Sequence, residues 1–521
     1  MSFTDKILKC LKLLVTTTNF FRKLPAATPD FSPVPVIILC PDRHRAFTKP
    51  QPFIPPKLIT ISYMALAKLE KKYFGTNGVR GVTGVDMTPV FALGLAQAFG
   101  TLLGEGKTVG LGMDTRTSGP ALGAAVRAGL CASGCNVIDF GIVPTPCLQY
   151  LILAHKLDGG VMITASHNPP EYNGIKIIEA DGTEMGDART IELEQIFINK
   201  TCKTAAWDKV GSVKEDFDAR EIYISAIVSQ FPADIGQGIT VAVDPGNGPA
   251  AATSAEILRR LGCTVHSINA DFNGLFPGRM PEPTAEGLAE LSALVRSTGA
   301  AFGVAHDGDA DRAIFVDENG TFMDGNITLA LLASYFCEQT PGSLIVTPVS
   351  TSGIVEAVGR QYGCETAYTV VGSPYVARTM MELIAKGTKV AVGGEGNGGI
   401  IYPSHQFCRD GGMSAATMLG VVATRKQPLS ELIAALPKYT MYQEKRKSTK
   451  AKEFTAHMKE FYKDLPMDTR DGIRITKGNA WALIRPSGTE PLIRVYAESV
   501  NADEAKALLG EILAEIEPYL A

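Results

Sequence analysis

A chain of 521 residues is too long for one hydrophobic core and predicts three or four domains. With 45% hydrophobic and 20% charged residues it has ordinary globular composition, and a net charge of -4 excludes a general attraction to nucleic acid or to a membrane surface. No apolar run reaches the roughly 20 residues a membrane span needs. Its 10 cysteines, with no C-x-x-C pair, predict reduced, mostly buried thiols in a cytoplasmic protein, not a disulfide framework or a zinc site.

Residues 1–63 stand apart. Prolines 25, 29, 33, 35, 41, 50, 52, 55 and 56 interrupt any periodicity, and Lys6, Lys9, Lys12, Arg22 and Lys23 make the front end basic. The segment is expected to be a poorly ordered extension. A targeting peptide or a start assigned upstream of the true one are the alternatives, the former weakened by scarce serine and no obvious cleavage site. From Met64 the chain runs into Lys71-Lys-Tyr-Phe74-Gly75-Thr-Asn-Gly78-Val-Arg80-Gly81, where ordered structure is expected to begin.

Three segments then repeat one pattern of strand, turn, helix, Gly-Cys and strand. The first has strand Thr108–Met113, turn Asp114–Gly119 and Gly134-Cys135-Asn-Val137. The second has Ile239–Val243, Asp244–Gly248 and Gly262-Cys263-Thr-Val265. The third has Ser343–Thr347, a turn through Ser350–Gly353 and Gly363-Cys364-Glu-Thr366. Each glycine falls where a left-handed helix C-cap is expected. The strands are apolar without clean alternation, as buried strands of a parallel or mixed sheet are. The tail differs. Ile473–Thr476, the turn Lys477–Asn479 and Ala480–Ile484 predict a hairpin, Leu492–Ala497 a further strand, and Asn501 the cap of an amphipathic helix buried through Leu508, Leu509, Ile512 and Ile516. The expected fold is α/β: three tandem similar domains with mixed sheets (64–218, 219–321, 322–438) and a smaller C-terminal α+β domain (439–521).

One polar loop of unusual composition falls in each domain, so a single site can form where the domains meet. Thr164-Ala-Ser166-His167-Asn168-Pro169 leaves the apolar strand Val161–Ile163 and offers a hydroxyl with no Ser-His-Asp pattern around it, which suits phosphoryl better than acyl transfer. His167, as the next residue, is expected to point away from that hydroxyl; it is a catalytic candidate that orients a phosphate, with packing of the loop the alternative. Lys176 follows in Asn173-Gly-Ile-Lys176 as a proton carrier or a counter-charge. Asp307, Asp309 and Asp311 alternate, and converging carboxylates suit a hard cation such as Mg²⁺. A calcium EF-hand would place Glu318 at loop position 12, but Arg312 stands where its turn needs glycine and Ala313–Val316 reads as a strand. Glu395 and Asn397 lie in a glycine-rich run open to sugar hydroxyls, and Arg485, Ser487, Gly488 and Thr489 offer a donor-rich nest for a phosphate.

With these motifs assembled, the chain resembles the α-D-phosphohexomutase family from about Met64 to its C-terminus. The resemblance implies a heart-shaped, four-domain enzyme with Mg²⁺, a phosphoserine at Ser166 that completes the metal shell of Asp307, Asp309 and Asp311, and a hexose 1,6-bisphosphate intermediate and activator. It implies Arg80 and Arg116 near the phosphoserine, Lys176 as acid and base, and Arg312 near the transferring group. Many members read Gly-Glu-x-Ser-Gly-His in the sugar loop, where this chain has Asn397 for the serine and Gly399 for the histidine. The opening Phe74–Gly81 resembles phosphoglucosamine mutases, while Ser166 and its neighbours are equally at home in phosphomannomutases. The implied activity moves phosphate between O6 and O1 of a hexose phosphate, with glucosamine 6-phosphate the expected substrate. A broad phosphomannomutase/phosphoglucomutase is the alternative, ahead of a Mg²⁺-dependent sugar phosphatase or an inactive sugar-phosphate sensor. The expected partner is the hexose phosphate alone, bound by a monomer or homodimer, with no nucleic acid and no membrane.

Overall fold

A computed structural model describes residues 71–487 and 491–520. The expected N-terminal extension, the residues just after Met64, and Gly488 and Thr489 lie outside the described residues.

Four sheets follow one another along the chain. In the first, the strands lie in the order Val79–Val82, Tyr172–Glu179, Gly159–Ile163, Thr108–Met113, Asn136–Ile142 and Val213–Glu215. The second runs Ala313–Asp317, Phe302–His306, Thr240–Asp244, Thr264–Ser267, and the third Glu365–Thr369, Leu344–Pro348, Val390–Glu395, Gly399–Tyr402, Gln406–Arg409. The fourth, of strands Thr440–Lys447, Leu492–Ser499, Ala480–Pro486, Ile473–Lys477 and Met467–Asp468, is antiparallel throughout.

The predicted repeat is present in the first three sheets. Each has a parallel pair joined by the expected helix, Gly119–Ala132, Ser254–Arg260 or Gly353–Gln361. Each helix ends in the same double hydrogen bond. Gly134, Gly262 and Gly363 adopt φ of 85°, 96° and 70°. Their amides bond back to Cys131, Arg259 and Arg360, and the amides of Cys135, Cys263 and Cys364 bond to Leu130, Leu258 and Gly359. This is the Schellman arrangement, which only glycine adopts without steric cost, and it buries the cysteine that follows.

A second shared feature positions the chemistry. In each of these sheets a central parallel strand leaves its C-terminal end through a polar loop and returns as an antiparallel neighbour. Gly159–Ile163 pairs so with Tyr172–Glu179, Phe302–His306 with Ala313–Asp317, and Val390–Glu395 with Gly399–Tyr402. The three loops thus hold equivalent places at strand C-termini, where α/β sheets present ligand sites.

One apolar core runs through the first three units. It joins Phe140, Leu148 and Ile152 to Tyr223, Ile227 and Leu258, and these to Met413 and Leu419. The fourth sheet has its own core under the helix Ala502–Ile516, whose buried face includes Leu508, Leu509, Ile512 and Ile516 and whose N-cap is Asn501. A small cluster of Val349, Trp481 and Leu483 seals it to the third unit. All eight cysteines among the described residues are free, and six of them are buried. Among the described residues no helix is long and apolar enough to cross a membrane.

Candidate active site

The Ser166 loop is built on a buried arginine. The strand ending at Met113 delivers Asp114, which accepts from Arg116 Nε at 3.1 Å and from Thr164 Oγ1 at 2.6 Å. The rest of the Arg116 guanidinium donates to the carbonyls of Ser166, Asn168, Pro169 and Tyr172. Arg116 thus supplies donors to a loop whose Pro169 and Pro170 forbid regular pairing, where the Pro169 carbonyl also accepts from the Tyr172 amide at 3.1 Å. Ser166 adopts φ 52° inside this clamp. Arg80 reaches the same loop through Asn168 Oδ1, at 2.8 Å.

The metal loop repeats the device. Asp244 accepts from Arg279 Nε at 2.7 Å, and Arg279 Nη2 holds the carbonyl of His306 at 2.7 Å, just ahead of Asp307. Strand Ala313–Asp317 returns antiparallel, so the loop is a hairpin and not an EF-hand. Glu318 is engaged by Ser430 instead.

The two loops meet. Ser166 Oγ donates to Asp307 Oδ2 at 2.9 Å. One carboxylate oxygen each from Asp307, Asp309 and Asp311 falls within 4.8 Å of the others. Asp309 Oδ2 also accepts from Thr145 Oγ1 at 2.6 Å. Lys176, fully buried, donates to Asp309 Oδ2 at 2.7 Å and Asp311 Oδ2 at 3.0 Å. Burial opposes its charge, but those two carboxylates hold its pKa up to about 12. Burial, with Asp311 and Asp309 beside it, pushes Asp307 up to about 8. Burial works against the charge of Asp311 too, yet Arg409 and Lys176 keep it below the usual carboxylate range. The buried Oδ1 atoms of Asp309 and Asp311 have no hydrogen-bond partner. Crowded buried carboxylates with orphaned oxygens fit a divalent cation bound by oxygen ligands.

His167 does not point away from the hydroxyl. Side chains of neighbouring residues diverge in an extended chain, but the left-handed turn at Ser166 brings His167 Nδ1 to 3.4 Å from Ser166 Oγ. Arg312 Nη2 lies 2.7 Å from the same nitrogen, and a guanidinium only donates, so Nδ1 accepts and the ring is neutral. Burial and the Arg312 charge lower the pKa of His167 to about 2. Arg312 also donates to Glu282 at 3.1 Å.

The sugar loop joins this cluster through a residue the sequence reading missed. Arg409 Nη2 donates to Asp311 Oδ2 at 2.5 Å and its Nη1 to Glu395 Oε2 at 3.1 Å. Asn397 Oδ1 closes its own turn by accepting from the Gly399 amide at 3.1 Å. Arg485 donates to Asp471 at 3.1 Å, and the Ser487 amide pairs with the Leu492 carbonyl. Thr145 and Arg279 were missed as well.

The chain matches the phosphoglucomutase/phosphomannomutase family in all four of its parts. Its α/β/α domain I covers residues 71–203, domain II 221–320, domain III 324–439 and the C-terminal domain 442–515. A phosphoglucomutase/phosphomannomutase of Thermococcus kodakarensis is 41% identical over 450 residues, 84% of this chain and 97% of that one. A probable phosphoglucosamine mutase of Methanopyrus kandleri is 41% identical over 448 residues, 85% of this chain and 97% of its own length. Among solved structures, a phosphoglucomutase/phosphomannomutase family protein of Burkholderia thailandensis superposes with TM-score 0.75 at 26% identity, covering 86% of this chain and 98% of that one. An Aspergillus fumigatus N-acetylphosphoglucosamine mutase, solved with GlcNAc-6P and magnesium, shares the fold at TM-score 0.55 and 16% identity, over 88% of this chain and 98% of its own. Hydroxyl, carboxylate triad and buried lysine thus stand on a scaffold of known kind, and the chain belongs to the phosphoglucomutase/phosphomannomutase family as a phosphohexomutase, an isomerase that moves phosphate within a hexose phosphate.

Proposed function

We propose that this phosphohexomutase interconverts glucosamine 6-phosphate and glucosamine 1-phosphate through a phosphorylated Ser166 and a hexose 1,6-bisphosphate, which also primes it as activator. The observation that carries the mechanism is the 2.9 Å contact between the Ser166 hydroxyl and Asp307 within the carboxylate cluster. Asp307, Asp309, Asp311 and an oxygen on Ser166 would hold Mg²⁺, as the orphaned carboxylate oxygens favour. Bound there, the ion would neutralise charge on the phosphoryl oxygens.

In the forward half-reaction the sugar O1 hydroxyl attacks phosphorus and the P–Oγ bond to Ser166 breaks. Lys176, charged beside Asp309 and Asp311, gives a proton to the departing Ser166 Oγ and takes up the O1 hydroxyl proton in its place. After the bisphosphate turns over, Ser166 Oγ attacks the 6-phosphate, the P–O6 bond breaks, and Lys176 gives its proton to the released O6 as it takes up the Oγ proton. Arg80, His167 and Arg312 orient the phosphoryl group. Glu395 and Asn397 hold sugar hydroxyls, and Arg485, Ser487, Gly488 and Thr489 clamp the phosphate that is not reacting. Positioning and charge neutralisation supply most of the rate. The free thiols among the described residues support a reducing, cytoplasmic setting.

Glucosamine is supported by the names of most relatives, including those of Methanopyrus kandleri and Pyrococcus abyssi. A broad phosphoglucomutase/phosphomannomutase is the second reading, favoured by the Thermococcus kodakarensis relative of that name. Rates on glucosamine, mannose and glucose 6-phosphates, with Mg²⁺ and a trace of bisphosphate, separate the two. A strong preference for glucosamine supports the first, and comparable rates on mannose and glucose support the second. Net phosphate release in place of isomerisation would indicate a phosphatase. Ser166→Ala should abolish isomerisation while sugar-phosphate binding persists; full activity would eliminate the phosphoserine route.

A further inference from the structure

Gly399 and Arg409 compete for one volume. They lie on adjacent antiparallel strands, Gly399–Tyr402 and Gln406–Arg409. A Cβ added at Gly399 would lie 2.2 Å from Arg409 Cδ and 3.0 Å from its Cγ. The space a side chain at 399 would enter is therefore filled by the arginine stem. In this backbone a large residue at 399 and the arginine at 409 exclude each other.

The arginine is also pinned from behind. Asp410 caps the helix Gly411–Arg425 by accepting from the Met413 amide at 2.9 Å, and takes the Tyr223 hydroxyl at 2.6 Å and Gln406 Nε2 at 2.8 Å. The helix start abuts the metal loop, since a Cβ at Gly411 would lie 2.6 Å from the Arg312 carbonyl and 2.7 Å from that of Ala310. From this fixed root the guanidinium reaches both Asp311 and Glu395. Glu395 is bonded through Oε2, and among the described residues its Oε1 has no hydrogen-bonded partner. A forked donor spans two carboxylates at set spacing, which the single ammonium of lysine does less well.

We propose that Arg409 is a specificity residue of the sugar site. It replaces the side chain that Gly399 lacks, holds Glu395 by one oxygen so that the other is left for the hexose hydroxyls, and ties that grip to the metal loop through Asp311. The proposal rests on the hexose phosphate reading given above. It requires that changing Arg409 alter how the sugar is gripped and which sugar is preferred.

The test is steady-state kinetics of wild type, Arg409→Ala, Arg409→Lys, Gly399→His and the double variant Arg409→Ala/Gly399→His on the three hexose 6-phosphates. Arg409→Ala should raise KM for the best sugar by at least about 30-fold, with a smaller change in kcat. Arg409→Lys, which keeps charge and fold, should raise it by about 10-fold. Gly399→His alone should be as impaired as Arg409→Ala, because the ring meets the arginine stem. The double variant should recover part of the loss and change the ranking of the sugars. If Arg409→Ala does not fold, as circular dichroism would reveal, Arg409→Lys decides. Wild-type KM values and wild-type sugar ratios in Arg409→Lys would overturn the inference, as would a double variant no better than the worse single one. A wild-type enzyme inactive on all three sugars would overturn the hexose phosphate reading together with it. An active wild type beside an indifferent Arg409→Lys overturns the role of Arg409 alone.

Discussion

A Cβ placed on Gly308 would lie 2.3 Å from the carbonyl oxygen of Ser166. The loop of carboxylates is therefore docked backbone to backbone on the loop of the hydroxyl. Gly308→Ala must separate them, because neither backbone can step aside as a flexible side chain would. A displacement near 1 Å at reacting groups costs about 100-fold in rate. We expect kcat to fall by about that factor, beyond what the accompanying loss of stability, about 1–3 kcal/mol, explains. A variant with wild-type kcat would show that the docking does not set the reaction geometry.

Metal binding should register in stability as well as in rate. A ligand that binds only the folded state at 100 times its Kd stabilises it by about 2.7 kcal/mol. Added Mg²⁺ should raise the melting temperature of wild type after chelation, and should raise that of Asp309→Asn far less. An equal shift in both proteins would place the cation elsewhere.

Arg116 illustrates how much one buried cation can organise. Arg116→Met keeps the stem but strips donors from four carbonyls and leaves Asp114 buried without its counter-charge. Breaking a buried pair in this way costs about 3–5 kcal/mol. Urea denaturation should show a loss of that order. A loss below 1 kcal/mol would mean that the loop finds other partners for its carbonyls.

The fourth unit is latched by Glu498. This fully buried carboxylate accepts from the Ser352 hydroxyl, from the Gly353 amide at 2.7 Å and from Trp481 Nε1 at 2.7 Å. Arg474 stacks 4.1 Å from the Trp481 ring and 4.7 Å from that of Tyr368 across the same seam. Glu498→Ala orphans three donors, each worth about 1–3 kcal/mol when buried unpaired. Trp481 emission should shift to the red, read against the exposed Trp207 background, and urea should release the C-terminal unit before the rest. Coincident unfolding and an unchanged spectrum would argue against the latch.

Much of the scaffold was legible because it rests on local rules. Gly134, Gly262 and Gly363 betray three helix ends through a backbone geometry that glycine adopts cheaply, and the turn Lys477–Asn479 between Ile473–Thr476 and the apolar run Ala480–Ile484 betrays a hairpin. The alternation of Asp307, Asp309 and Asp311 was legible too, since carboxylates so spaced on a tight turn can converge. The direction of His167 was not, because it depends on one left-handed residue whose strain is borne by Arg116 from another turn. Arg409 was hidden for a different reason. It ends a strand of only four residues, Gln406–Arg409, too short for a pattern, and its partners lie 98 and 14 residues away. Lys176 left a trace that went unused: a lysine flanked by Ile175, Ile177 and Ile178 has to be buried and therefore paired.

The equivalent placement of the three polar loops has a consequence for how such a molecule can change. A strand that ends in a hydroxyl, one that ends in carboxylates and one that ends among glycines are variations on a single hairpin station. Each supplies a different group, and no one of the three loops holds all of them. Competence arises at the seams, where Gly308 meets Ser166, Arg409 meets Asp311 and Gly411 meets Ala310. Substitutions deep within one sheet alter its robustness, whereas a single atom added at a seam rewrites what the assembled molecule can do.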